Sequence, residues 1–261
     1  MKSKPNLLAP TKLSVPEVVK YLIVPDTHAP YHDRKAWDLM LKAAEAFKPD
    51  VIIHLGDLAD FYCVSDFNKN PNRTGHLEDE IRSVNECLSD LDALRAKEKI
   101  FLAGNHEDRL ERYLMTKAPE LFNIVKISDL LRLKERNWKY IPYKKNYKVS
   151  HMYFTHDTGR AGRYAVYQSA TDVGTNTVIG HTHRLSYFIE GNAEGKAHVG
   201  ASFGWLGDFE SVDYMHRVRA LRDWALGFGV GYLDTKTGLM HLQPIPIVQY
   251  QCVIDGKIIK V

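Results

Sequence analysis

The chain has 261 residues, 44% hydrophobic and 26% charged, ordinary globular usage that argues against disorder, collagen-like repeats and low complexity. No apolar run approaches the roughly 18 residues of a membrane span, the proline-broken N-terminus does not read as a signal peptide, and Cys63, Cys87 and Cys252 are too few and too scattered for a disulfide framework or a zinc knuckle, so a reducing cytoplasm is the expected compartment. A net charge of +3 is too mild to require a nucleic-acid partner, whereas twelve histidines raise the question of whether they gather or scatter.

Residues 1–18, with Pro5, Pro10 and Pro16, read as an extended arm lying on the domain or on a neighbour. Tyr21-Leu22-Ile23-Val24 is a buried strand stopped by Pro25. Asp33 then caps a predicted helix over 34–48, where Ala36, Leu39, Met40, Ala43 and Phe47 recur at helical spacing. Val51 to Leu55 forms a second strand, and Ile81, Val84, Leu88, Leu91 and Leu94 share one stripe of a helix near 78–97. Ile100 to Ala103 is a third strand, followed by a helix over 107–116, and Met152 to Thr155 and Thr177 to Ile179 are a fourth and a fifth. Strands alternating with helices predict an α/β sheet with helices on its faces. From about residue 185 the short apolar runs Phe228 to Leu233 and Ile245 to Val248 predict a second, mostly antiparallel set packed on the first.

Chemistry-bearing residues recur just after these strands: Asp26-Thr27-His28, Gly56-Asp57, Gly104-Asn105-His106, His156-Asp157 and Gly180-His181-Thr182-His183. Loops at the carboxyl ends of strands in an open α/β sheet share one edge, so the five are expected to converge. Residues two apart in extended chain face the same side, which lets Asp26 pair with His28 and His181 with His183. The donors are nitrogen and oxygen without thiolate, which suits manganese, iron, zinc or nickel. They exceed one four-coordinate zinc and point to two metals.

Asp26-x-His28, Gly56-Asp57-x-x-Asp60, Gly104-Asn105-His106-Glu107, His156 and Gly180-His181-x-His183 together resemble, in order and spacing, the calcineurin-like metallophosphoesterase superfamily over roughly residues 20–185. The resemblance implies a four-layer α/β/β/α sandwich, two mixed sheets flanked by helices, with 19–261 as one domain. It implies that Asp26, His28, Asp57 and His183 hold one ion, and that Asp57, Asn105, His156 and His181 hold the other, Asp57 bridging. Two divalent ions, manganese foremost, are the implied cofactor, and a hydroxide between them would attack a phosphate ester in line. His106 resembles the histidine that assists the leaving group, and Asp60 the carboxylate that orients it. All seven ligand positions and His106 are present, which argues against a scaffold that has lost activity.

The substrate is less sharply written. In the protein-phosphatase branch an arginine follows the Gly-Asp-x-x-Asp segment, and here the position is Phe61; Arg109, Arg160 or Arg163 could supply the guanidinium instead. Arg132, Lys134, Arg136, Lys139, Lys144, Lys145 and Lys148 interleave with Trp138, Tyr140, Tyr143 and Tyr147, a pattern that suits a nucleotide or nucleic acid but also describes a solvated face. His216, Arg217, Arg219 and Arg222, with Trp205, Tyr214 and Trp224, either fold over the site or join two strands. Arg109, Arg163 and His216 are the candidate substrate contacts. A phosphodiesterase of nucleotides or nucleic acid is the leading expectation and a phosphomonoesterase the alternative. Asp60 and Glu107 also suit helix N-terminal carboxylates. His32 and His76 read as ordinary surface histidines, and His54 as a packed, hydrogen-bonded one.

Overall fold

A computed structural model describes residues 16–70, 75–191, 193–211 and 223–261. The expected arm over 1–18 therefore falls mostly outside the described residues, as do Tyr214, His216, Arg217, Arg219 and Arg222.

The first strand, β1 (Val18–Val24), has side chains that alternate between two apolar cores. Leu22 and Val24 point to one, and Tyr21 and Ile23 to the other. A strand buried on both faces needs a layer above and a layer below, and this run of four apolar residues is the local origin of the layered architecture. Above it lies α1 (Arg34–Phe47), whose Asp33 cap accepts from the Ala36 N–H at 3.0 Å, a contact typically worth about 1 kcal/mol. Its buried stripe of Ala36, Leu39, Met40, Ala43 and Phe47 packs into the same core as Leu22. Strand β2 (Val51–His54), helix α2 (Leu77–Ala93) and strand β3 (Glu98–Leu102) repeat the unit. Helix α3 (Glu107–Lys117), the short α4 (Ile127–Leu130) and β4 (Lys139–Ile141) complete it.

The second layer of strands begins earlier than the sequence reading placed it. Strands β5 (Tyr147–Val149), β6 (Met152–Thr155), β7 (Asn176–Ile179), β8 (Leu185–Gly191) and β9 (Ala197–Phe203) form a sheet ordered β5-β6-β7-β9-β8, with α5 (Ala165–Val173) on its outer face. The late strands β10 (Gly227–Asp234) and β11 (Met240–Pro246) return to the first sheet, ordered β11-β10-β1-β2-β3-β4, where β10 runs antiparallel to β1. The predicted fourth and fifth strands thus belong to the second sheet, and the 228–233 run belongs to the first. An apolar run reports burial but not which sheet it joins. A hairpin, β12 (Gln251–Ile254) with β13 (Lys257–Lys260), packs on the α1 side.

Between the sheets, Ile23, Ile53, Leu55, Ile100 and Leu102 meet Phe154, Val178, Ala201 and Phe203 in a second core. The result is the four-layer α/β/β/α sandwich. Strands β1, β2 and β3 are mutually parallel, as are β6 and β7, and His156 Nδ1 beyond β6 lies 2.9 Å from the Leu55 carbonyl beyond β2, so the carboxyl ends of both sets open on one shared edge. Among the described residues no helix is long and apolar enough to cross a membrane.

Candidate metal centre

The chain leaves three of the five strand ends, those of β1, β2 and β7, in a turn that ordinary residues seldom adopt. His28, Asp57, His181 and His183 have φ of 58°, 52°, 60° and 54°, a left-handed conformation that costs an L-residue roughly 1–2 kcal/mol. Such strain persists only where the surrounding structure fixes it. Gly104 admits the closest approach: a Cβ there would lie 2.1 Å from Asp57 Oδ1, so only glycine lets the β3 end reach the β2 end.

Three groups of ligand atoms lie within 4.8 Å of one another: Asp26, His28 and His183; His28, Asp57 and His106; and Asp57, His156 and His181. Asp57 is common to two of them. His28 Nε2 stands 3.1 Å from His183 Nε2, and His183 Nε2 stands 3.0 Å from Asp26 Oδ2. On the other side the Asn105 Oδ1 lies 2.9 Å from His156 Nε2 and 2.8 Å from His181 Nδ1, and His156 Nε2 is 3.2 Å from Asp57 Oδ2. The structure therefore brings together all seven predicted ligand residues.

His106 and Asp60 join the same edge. His106 donates its backbone N–H to Asp57 Oδ1 at 2.8 Å, and its Nδ1 lies 3.0 Å from the Asp60 carbonyl and 3.5 Å from Asp60 Oδ2. Asp60 Oδ2 also meets His28 Nδ1 at 3.2 Å. Arg109 is buried, with Nη1 donating to the Asp60 carbonyl at 2.9 Å and Nη2 donating to His106 Nε2 at 2.8 Å. Its guanidinium faces these two residues, not an open surface. Arg163 is exposed and paired with Asp223 at 2.6 Å, and Arg160 is paired with Asp172 at 2.7 Å.

Charge balance is the strongest test of whether a cation fits here. Asp26, Asp57, Asp60 and Glu107 are all at most 3% exposed, and Arg109 is the one guanidinium or ammonium that an ion pair joins to any of them among the described residues. Buried carboxylates demand compensating charge. Burial works against ionisation of Asp57, yet His156 and His106 hold its carboxyl well below the usual range. Asp60 is likewise pushed up by burial and held far down by His106 and His28. The reciprocal effect falls on His156, where burial opposes protonation but Asp57 and Asp26 raise the imidazole to about 10. Burial, then His106, lowers His28 to about 4. A divalent cation among Asp26, Asp57 and the imidazoles would satisfy the charge that otherwise draws a proton onto His156, and a hard-to-borderline nitrogen and oxygen set suits it.

Two buried carboxylates organise the loops. Glu107, at the start of α3, accepts from the backbone N–H groups of Asp57, Ala59 and Gly104 at 2.8, 2.9 and 2.7 Å. It ties the β2 end to the β3 end more than it serves a helix dipole. Burial and the Asp57 charge raise it to about 7. Glu80 was not anticipated. It accepts from the N–H groups of Tyr62 and Cys63, each at 3.0 Å, and so fixes the turn that follows Asp60. The signal was a carboxylate at a position continuous with the apolar stripe of Val84, Cys87, Leu88 and Leu91.

His54 is packed as expected: Gly56 N–H donates to its Nδ1 at 3.2 Å, and Thr27 Oγ1 lies 3.2 Å from its Nε2. His32 is not a surface histidine. It is 4% exposed, with its ring edge against Trp37, because the 204–208 segment closes over it through a bridge with Gly207.

The basic run turns its rings inward. Trp138 is buried with Nε1 donating to Asp92 at 2.8 Å, and Tyr140 stacks on Phe101. Lys139 and Lys148 cover Tyr147 and Tyr153. Only Tyr143 reaches the cluster, its ring 6.2 Å from His156 and its hydroxyl donating to Asp157 at 2.7 Å.

A family model described as calcineurin-like phosphoesterase matches residues 19–233. The chain is 28% identical over 265 residues to the Gene 54 protein of Mycobacterium phage D29, and 25% identical over 259 residues to the Gene 54 protein of Mycobacterium phage L5. Each alignment covers 92% of this chain and 98% of the phage protein. Among solved structures it is similar to Vacuolar Protein Sorting 29 from Cryptosporidium parvum, with 13% identity, 93% of this chain and 95% of that one covered, and a TM-score of 0.48. It is also similar to wild-type Vps29 complexed with zinc from Entamoeba histolytica, with 12% identity, 92% and 96% covered, and a TM-score of 0.41.

Proposed function

The chain belongs to the calcineurin-like phosphoesterase family, and from that premise we propose that it is a dinuclear metal-dependent hydrolase of phosphate esters, a phosphodiesterase acting on a nucleotide or nucleic acid. The observation that carries the reading is the meeting of seven nitrogen and oxygen donors from five strand ends, with Asp57 common to two of the clusters and the Asn105 side-chain carbonyl between His156 and His181. Asp26, His28, Asp57 and His183 would hold one divalent ion, and Asp57, Asn105, His156 and His181 the other, with manganese the first choice and iron, zinc or nickel the alternatives. Two such cations supply Lewis acidity toward phosphoryl oxygens and lower the pKa of water.

The residues around them divide the remaining work. The Asp60 carbonyl, 3.0 Å from His106 Nδ1, orients the imidazole whose Nε2 would face the leaving group. Arg109 donates to that Nε2 in this structure and would have to release it for the imidazole to hand a proton to the leaving oxygen. Glu107 keeps Asp57 and Gly104 at their close approach.

The absence of an arginine at position 61 and the inward turn of Arg109 favour a diester, whose single negative charge asks for less guanidinium compensation than a monoester dianion. The monoesterase reading draws on Arg163, an exposed side chain paired at 2.6 Å with the half-buried Asp223, whose guanidinium could turn to a phosphate. The metal-reconstituted protein should be assayed on a diester, a monoester, cyclic nucleotides and single-stranded DNA with each of the four metals. Diester cleavage is expected. Turnover of monoesters with diesters, cyclic nucleotides and DNA left intact would overturn the assignment.

A further inference from the structure

The imidazoles of the cluster are held from behind in two different ways. His28 Nδ1 lies 3.2 Å from Asp60 Oδ2, and His156 Nδ1 lies 2.9 Å from the Leu55 carbonyl. Each of these rings thus has a hydrogen bond on the side away from the cluster, the usual way a ligating histidine is oriented. His183 lacks one. Its Nε2 faces Asp26 and His28, and its Nδ1 is buried with no hydrogen-bond partner among the described residues.

Aromatic rings occupy the place of that bond. The Trp205 indole stacks on His183 with centroids 4.9 Å apart and planes 12° from parallel, and Trp224 meets the same imidazole edge-on at 4.2 Å. Phe209 closes on Trp205 at 5.0 Å. Trp205 is fully buried, and its own Nε1 has no hydrogen-bond partner among the described residues. A buried donor left unpaired is costly, so the indole sits here against a penalty that a phenyl ring would avoid.

The backbone is shaped around this ring. A Cβ at Gly207 would lie 2.1 Å from the Trp205 indole, so glycine is what lets the side chain fold back over its own segment. Leu206 N–H donates to the Asp26 carbonyl at 2.8 Å, Trp205 N–H to the Ala225 carbonyl at 3.1 Å, and Ala225 N–H to the His183 carbonyl at 3.1 Å. The segment is therefore bonded directly to Asp26, and through Ala225 to His183, the two donors it overlies.

We propose that Trp205 is a positioning residue for His183, its stacked indole orienting the imidazole as hydrogen bonds orient His28 and His156. The inference rests on the reading of this cluster as a metal centre. Occupancy of the Asp26, His28 and His183 position then depends on a flat ring at 205, while the Asn105, His156 and His181 position does not.

The test is titration of the metal-stripped protein with Mn2+, followed by calorimetry and by the paramagnetic resonance of free ion, with circular dichroism and melting as controls of folding. Trp205→Phe keeps a plane against His183 and should bind both ions within about 3-fold of the parent, whereas Trp205→Leu should weaken one of the two ions by about 10- to 100-fold and leave the other unchanged. A purely structural role would lower the melting temperature without singling out one ion. Should Trp205→Leu fail to fold, Trp224→Leu, at the half-buried ring on the edge of His183, should weaken the same ion by a smaller factor. Parental affinity for both ions in a folded Trp205→Leu, or in Trp224→Leu if that must stand in, would overturn the inference, as would equal weakening of both ions. If the unaltered protein binds no Mn2+ at all, the metal-centre reading falls first and takes this inference with it; two ions bound by the parent and, with parental affinity, by a folded Trp205→Leu sinks the role of Trp205 alone.

Discussion

Ionisable residues crowd two regions of this chain, the strand ends at the shared edge and the 132–148 segment, and the two fold in opposite ways. At the edge, residues as far apart in sequence as His28 and His183 come within 3.1 Å and are withdrawn from solvent. In the segment, neighbours in sequence are satisfied one by one: Arg132 pairs with Glu135, Arg136 with Asp92, and three lysines lie over tyrosine rings. Convergence from separate strands concentrates unbalanced charge in a place that excludes water, where electrostatic work on a ligand is largest. A run along one stretch of chain mostly neutralises and solvates itself.

The sharpest way to break this contrast is Asp57→Asn. If the edge is organised by a bridging carboxylate, the variant should lose hydrolysis to the detection limit and retain less than the full metal content, measured by elemental analysis beside the rate assay. Unchanged metal content and rate would place the chemistry elsewhere. Next in size is His106→Ala, expected to slow turnover by about 10²- to 10⁴-fold, the range for a general acid, with both ions still bound. A variant that instead loses an ion would make His106 a ligand, which its grouping with His28 and Asp57 also allows.

The edge was more legible in the sequence than the segment, for a physical reason. Four of the five strand ends carry a short signature, a buried apolar run, then glycine or proline, then a carboxylate, carboxamide or imidazole, while the fifth passes from Thr155 straight to His156; parallel strands must bring such ends together. Nothing comparable tells which way Trp138 or Tyr140 points, because Asp92 and Phe101, which receive them, lie on other elements. The same limit hid the sheet exchange: Phe228 to Leu233 is equally apolar whichever sheet it completes, and its antiparallel pairing with β1 is a long-range choice. His32 looked exposed because the residues that bury it arrive from 204–208. In the sequence Trp205 is one aromatic among several, since stacking on His183 depends on the fold of both.

His32 sharpens the contrast by separating burial from ligation, since it lies near the edge but in none of the ligand groups. Burial, then the charge of Arg34, lowers its imidazole to about 4, with Asp33 pulling the other way. The native ring is therefore neutral where the unfolded ring, at 6.5, takes up a proton. As pH falls from 6.5 toward 4 the unfolded state binds the proton that the native state refuses, and stability drops by up to about 3 kcal/mol. Denaturant melts of the parent and of His32→Gln between pH 7 and pH 4.5 should diverge in slope, the variant losing less. Parallel slopes would mean that His32 is protonated in place.

The smallest expected effect lies where the two regions touch. Tyr143 is bound to Asp157, the neighbour of His156, and the turn it begins carries the exposed Lys144 and Lys145, with Lys145 N–H closing on the Pro142 carbonyl at 3.1 Å. Lys144 covers the Tyr143 ring at 5.2 Å, so the ring is not offered for stacking, while both lysines are exposed beside it. A small diester that contacts only the metal centre has no phosphate to place against them, whereas single-stranded DNA extends past the scissile bond and does. Replacing both lysines by glutamate should leave the rate on a small diester within about 2-fold and raise KM for DNA by about 3- to 10-fold at low salt, a difference that shrinks as added salt screens the exposed charges. The salt series carries the argument, because a distorted centre would slow both substrates at every ionic strength. Equal KM for DNA in parent and variant would leave the whole 132–148 segment, including its one approach to the centre, as a solvated and structural stretch.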